Sequence, residues 1–86
     1  MQRGWVVSSD YRAAIDAIKS ARTDLGISQR ELARRLDKPP SFVNKIEQLE
    51  RRLDILEFIA IAHALGIDPA DLLKAVRAVL PEKVQV

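Results

Sequence analysis

Apolar residues recur along this chain at spacings of three and four, the period of an amphipathic helix, and polar or Gly/Pro punctuation divides them into five segments. The first stripe is Tyr11, Ala14, Ile15, Ile18, Ala21 and Leu25. Ser8-Ser9-Asp10 precedes it with capping side chains, a good cap being worth roughly 1 kcal/mol, and Gly26 ends it at the left-handed position that glycine adopts without strain. Ser28 with Glu31 three residues on has the form of a capping box, in which hydroxyl and carboxylate satisfy otherwise orphan backbone N–H groups. Leu32, Ala33 and Leu36 then face inward, Ala33 being small enough for a second helix to cross closely. That next helix starts at Pro39-Pro40, since proline is tolerated in a first turn, and Val43 and Ile46 form its inner stripe. Asp54 with Glu57 opens a fourth segment whose inward residues are read as Phe58, Ile59, Ala62 and Leu65 before Gly66. Asp68-Pro69, with Asp71 in the first turn, opens a fifth, closed by Pro81. The pattern predicts an all-α, compact five-helix domain over residues 8–81, an N-terminal arm over 1–7 and a mobile C-terminal tail over 82–86. Trp5-Val6-Val7 reads either as a short strand or arm pairing across a two-fold axis or as a frayed end.

The second and third segments, within residues 22–53, are two short helices joined by a turn of about three residues, the grammar of a DNA-reading helix-turn-helix. Between the inner anchors of the third helix, about residues 40–48, Ser41, Phe42, Asn44, Lys45 and Gln48 point outward, and most can hydrogen-bond to base edges in a major groove. Charge agrees once it is divided along the chain. Residues 1–53 hold eleven Lys/Arg against seven Asp/Glu, a net of +4, whereas residues 54–86 hold three against five, a net of −2. At 86 residues the chain supports one small domain, which pairing would help to stabilise. It has no Cys and a single His, so neither a disulfide framework nor a Cys/His zinc site is available. Its longest uninterrupted apolar run beyond the N-terminus is Phe58 to Ala62, too short for a membrane span. A soluble, cytoplasmic protein is expected.

The run Gly26-Ile27-Ser28-Gln29, then Glu31-Leu32-Ala33, Val43, Ile46-Glu47 and Leu65-Gly66-Ile67-Asp68 resembles the lambda-repressor-like, XRE-type helix-turn-helix transcriptional regulators, over about residues 11–73. The resemblance implies a five-helix domain of prokaryotic or phage type, used as a homodimer on an inverted repeat of double-stranded DNA. It also implies that Gln29 binds a DNA phosphate and braces the third helix, and that Arg22 and Glu47 form an ion pair linking the first helix to the third. Two positions depart from the family. Leu49 stands where a glycine commonly follows the third helix, and Pro40 stands where a base-reading glutamine is frequent, which leaves Ser41, Asn44 and Lys45 as the better readers. Arg30, Arg51 and Arg52 join Gln29 as phosphate candidates, with Glu50 a local ion-pair partner for one of the last two. Phe42 either touches a thymine methyl or packs on Leu49 and the following loop. Leu72, Leu73, Val76, Val79 and Leu80 give the fifth helix more apolar surface than a small core needs, and Leu72, Val76, Val79 and Leu80 are expected to form the dimer contact.

Catalysis finds little support. His63 lacks the second His of a zinc motif and a Ser partner, no carboxylate pair stands out from the caps, and three Gly do not make a phosphate loop. No enzyme, cofactor, metal, membrane or small-molecule ligand is expected. The chain reads as a sequence-specific regulator, most simply a repressor occupying promoter DNA. The alternative is an antitoxin or adaptor that keeps the fold but uses it to hold another protein, such as a cognate toxin. The character of the third helix favours DNA, since Lys45 is basic and Asn44 and Gln48 are neutral.

Overall fold

Residues 8–86 are described by a computed structural model; Trp5-Val6-Val7 and the arm expected over 1–7 lie outside the described residues. Five helices and no strand occur among the described residues: α1 (Ser9–Asp24), α2 (Gln29–Arg35), α3 (Ser41–Glu47), α4 (Ile55–Leu65) and α5 (Pro69–Ala78). Local chemistry sets most of the boundaries. The Ser8 hydroxyl accepts from the backbone N–H groups of Asp10 and Tyr11, and Gly26, at φ +71°, follows the C-terminus of α1. Asp54 and Glu57 form a full reciprocal capping box at α4, and Asp68 caps α5 with Pro69 in its first turn. At α2 only half of the expected box forms. Ser28 accepts from the Glu31 N–H at 3.0 Å, but the Glu31 carboxylate turns outward to Arg34 and Arg35. The α3 helix has no side-chain cap at all. With seven residues and no cap it is far too short to persist alone, so packing must hold it.

That packing comes from one apolar cluster. Ile15 and Ile18 of α1, Leu32 and Ala33 of α2, Val43 and Ile46 of α3, Ile61 and Leu65 of α4 and Val76 of α5 meet in it, together with Leu49. The α1 helix packs on α3 and α5, α2 on α3 and α4, and α4 on α5. Two residues expected inside are exposed. Leu25 lies beyond the last turn of α1, and on α4 the stripe with i, i+3, i+4, i+7 spacing is Phe58, Ile61, Ala62 and Leu65, so that Ile59 falls about 100° round the helix. On α5, Leu72 and Val76 are buried in the chain's own core, while Leu80 packs partly against it. Leu72 and Val76 are therefore not free to meet a second copy, contrary to the expectation from sequence; Leu73 and Val79 face outward. The tail is held as well, because the Ser8 hydroxyl donates to the Gln85 carbonyl at 2.7 Å and the Gln85 N–H donates to Asp10 at 2.8 Å.

Leu49, just beyond α3, takes a conformation that suits glycine. Its φ is +62°, yet its side chain is only 6 % exposed and belongs to the core cluster. The left-handed backbone costs roughly 1–2 kcal/mol for an L residue, whereas losing a buried leucine side chain costs about 2–5 kcal/mol. Burial therefore wins, and both Leu49→Ala and Leu49→Gly are expected to destabilise the domain. Their order should invert the usual one. Alanine keeps the strain and loses the packing, whereas glycine loses the packing but relieves the strain, so Leu49→Gly should be the more stable by about 1 kcal/mol in urea unfolding. A Leu49→Gly variant less stable than Leu49→Ala would show that the backbone here is not strained.

Candidate nucleic-acid interface

Residues 36–40 turn the chain from α2 into α3. Leu36 caps α2, Asp37 takes φ +56°, which an aspartate tolerates better than most residues, and Pro39 accepts a hydrogen bond from the Phe42 N–H at 2.9 Å. The inner residues Val43 and Ile46 are 2 % exposed, and this fixes the rotation of α3 about its axis. Ser41, Asn44, Lys45 and Gln48 are consequently all exposed. Their arrangement is a polar row along a helix whose other side is anchored.

The anchor is reinforced by charge. Arg22 and Glu47 make a bidentate pair, Nε to Oε2 at 2.8 Å and Nη2 to Oε1 at 2.9 Å, with side-chain exposures of 8 % and 5 %. Gln29 Nε2 donates to the same Glu47 Oε1 at 2.8 Å, and Arg22 Nη1 donates to the Ile27 carbonyl at 2.7 Å. The first turn of α2, the end of α1 and the end of α3 are thus tied through one carboxylate. No buried side-chain nitrogen or oxygen among the described residues lacks a partner, which is the condition under which a buried ionic cluster is tolerated.

Other cations near this face are differently occupied. Arg30 and Lys45 are exposed and make no hydrogen bond or ion pair among the described residues. The Glu31 carboxyl, beside the guanidinium groups of Arg34 and Arg35, is lowered to about 2 chiefly by their hydrogen bonds, and Arg35 also donates to the Ala64 carbonyl near the end of α4. Arg51 pairs not with Glu50 but with Glu57, at 2.8 and 2.6 Å. Arg52 lies over the Tyr11 ring, 5.1 Å from its centroid. Phe42 is half-buried against the core, with the Arg51 guanidinium 4.8 Å and the Lys38 ammonium 5.5 Å from its ring centroid. The pairing of Arg51 with a residue six positions away was not visible in the sequence, where Glu57 read only as a helix cap. The one clue was that Glu57 stands close in sequence to two arginines. His63 is exposed near the end of α4, and no group of three or more His, Cys, Asp or Glu able to hold a metal ion occurs among the described residues. No helix among them is long and apolar enough to cross a membrane.

A family model described as a helix-turn-helix matches residues 18–72. Among solved structures, the chain is similar to an XRE-family-like protein of Pseudomonas syringae pv. tomato, with 45% identity over 85% of this chain and 89% of that one and a TM-score of 0.76. It is also similar to the clp gene regulator of Corynebacterium glutamicum, with 26% identity over 86% of this chain and 96% of that one and a TM-score of 0.73. A restriction-modification controller protein of Aeromonas hydrophila shares 28% identity over 74% of this chain and 97% of its own, with a TM-score of 0.66. No curated protein matches the chain.

Proposed function

Because the chain belongs to the XRE-type helix-turn-helix family of DNA-binding transcriptional regulators, we propose that it reads an inverted-repeat operator as a homodimer and represses by occupying promoter DNA. The observation that carries this reading is the exposed row Ser41, Asn44, Lys45 and Gln48 on a helix whose opposite face is buried and clamped. Asparagine pairs bidentately with adenine N6 and N7, and lysine donates to guanine O6 and N7. Phe42, half-buried between two cations, is the weakest of the base-reading candidates and serves mainly as packing. Arg30 supplies a phosphate contact from α2, and Gln29 keeps one amide hydrogen for another while the first holds Glu47. Arg52 remains a phosphate candidate beside Tyr11.

A single half-site reader gains affinity by pairing. The surface for that pairing is the exposed apolar face of Ile55 and Ile59 on α4 with Leu73 on α5, rather than the buried Leu72 and Val76. A scatter of single exposed apolar residues would be unremarkable, but Ile55 and Ile59 on α4 and Leu73 on α5 line one open apolar groove.

Selection from random duplex DNA, followed by salt titration and sizing of the complex, tests the reading. One family of inverted-repeat sequences should emerge, bound by two copies, with log affinity falling against log salt by about 0.9 for each phosphate neutralised. Equal affinity for selected duplex, random duplex and heparin would defeat it and favour the adaptor or antitoxin alternative.

A further inference from the structure

Sequence counts Arg51 among the cations offered to DNA, but its guanidinium is already engaged on three sides. Nη1 and Nη2 donate to the two carboxylate oxygens of Glu57 at 2.8 and 2.6 Å, Nη1 also donates to the Arg52 carbonyl at 2.9 Å, and the group lies over the Phe42 ring. Glu57 is 18 % exposed at its side chain and closes the α4 capping box by accepting from the Asp54 N–H at 3.0 Å. The hydrogen bond from Arg51 is also the largest cause holding the Glu57 carboxyl below its ordinary range. Moving Arg51 to a phosphate would exchange one oxyanion for another while giving up the contact with Phe42 and leaving Glu57 close to the DNA backbone.

Resting on the reading of α3 as the DNA-binding helix, we propose that Glu57 is a positioning residue that withdraws Arg51 from the phosphate backbone, making Arg51 a neutralised brace between α3 and α4. Arg51 then supports Phe42 and the start of α4, and the connection between the two helices contributes no phosphate contact through it. Glu57 limits non-specific affinity in this way. A residue that acts only through a partner must lose its effect when the partner is removed, and this separates the proposal from simple local charge.

The test is a salt titration of the full chain on selected and random duplex, comparing wild type, Arg51→Gln, Glu57→Gln and the double variant, each confirmed folded at assay temperature by circular dichroism. Glutamine at 57 keeps an oxygen for the Asp54 N–H, as in a glutamine capping box. Arg51→Gln should leave the slope unchanged, and Glu57→Gln should steepen it by about 0.9 per protomer while tightening random-duplex binding several-fold. The double variant should return to the wild-type slope. A slope shallower in Arg51→Gln, unchanged in Glu57→Gln, or still steepened in the double variant overturns the proposal. If Arg51→Gln does not fold, the Glu57→Gln slope alone decides. A wild-type slope near zero removes the DNA reading itself, whereas a steep wild-type slope with any of the three adverse variant results removes only the role given to Glu57.

Discussion

Arg22→Ala and Glu47→Ala are each expected to lower the unfolding free energy by about 3–5 kcal/mol, the range for breaking one side of a buried ion pair. An exposed pair would lose less than about 1 kcal/mol. Burial decides between the two ranges, and side-chain exposures of 8 % and 5 % place this pair in the first. Removing Arg22 leaves a carboxylate with only the Gln29 amide for company, and removing Glu47 strands both the guanidinium and that amide. Small domains have total stabilities of about 5–15 kcal/mol, so either change should take up much of the margin, and thermal unfolding should show it directly. The double variant should lose less than the sum of the two, because it leaves no uncompensated charge behind. Additive losses below about 1 kcal/mol would mean that water reaches the pair and that it does not aim α3.

Asn44→Ala and Lys45→Ala are expected to weaken binding to the preferred duplex by about 1–3 kcal/mol each while leaving random duplex nearly unaffected. Both side chains are exposed on the outer face of α3 and have no role in the core, so the folded state should be unchanged and the loss attributable to base contacts. Arg30→Ala is the control. It is an exposed cation on α2 that, unlike Arg34 and Arg35, makes no ion pair among the described residues, and its loss should weaken all sequences alike and flatten the salt slope by about 0.9 per protomer. Equal loss on selected and random duplex for the α3 variants would mean that this face contacts the backbone and does not read bases.

The five helices were legible because their signals are local. Ser8, Asp54 and Asp68 lie within three residues of the N–H groups they cap, Gly26 and Gly66 follow the helices they end at φ +71° and +75°, and a helical stripe repeats within two turns. The tie between Arg22 and Glu47 came from family resemblance and from no spacing rule, since 25 residues separate the two. Leu49 was visible as a departure from the family glycine. That it keeps a glycine-like backbone and compensates by burying its side chain was not, because a left-handed φ at a leucine has no sequence signature.

By itself the sequence determined an all-α chain of five helices, four of them with side-chain caps, the family it belongs to, and which helix carries a hydrogen-bonding outer row. These follow from contacts spanning at most about one turn, whose geometry is the same in any helix. The tertiary structure alone decided which of the surplus apolar residues of α4 and α5 are buried and which cations are held in ion pairs. Ile61 replaces Ile59 in the core, Leu72 and Val76 are used internally, and Arg51 is taken by Glu57 while Arg30 and Lys45 stay exposed. Those outcomes depend on the angle at which one helix crosses another and on what the neighbour covers, and packing sets both only after the elements have formed.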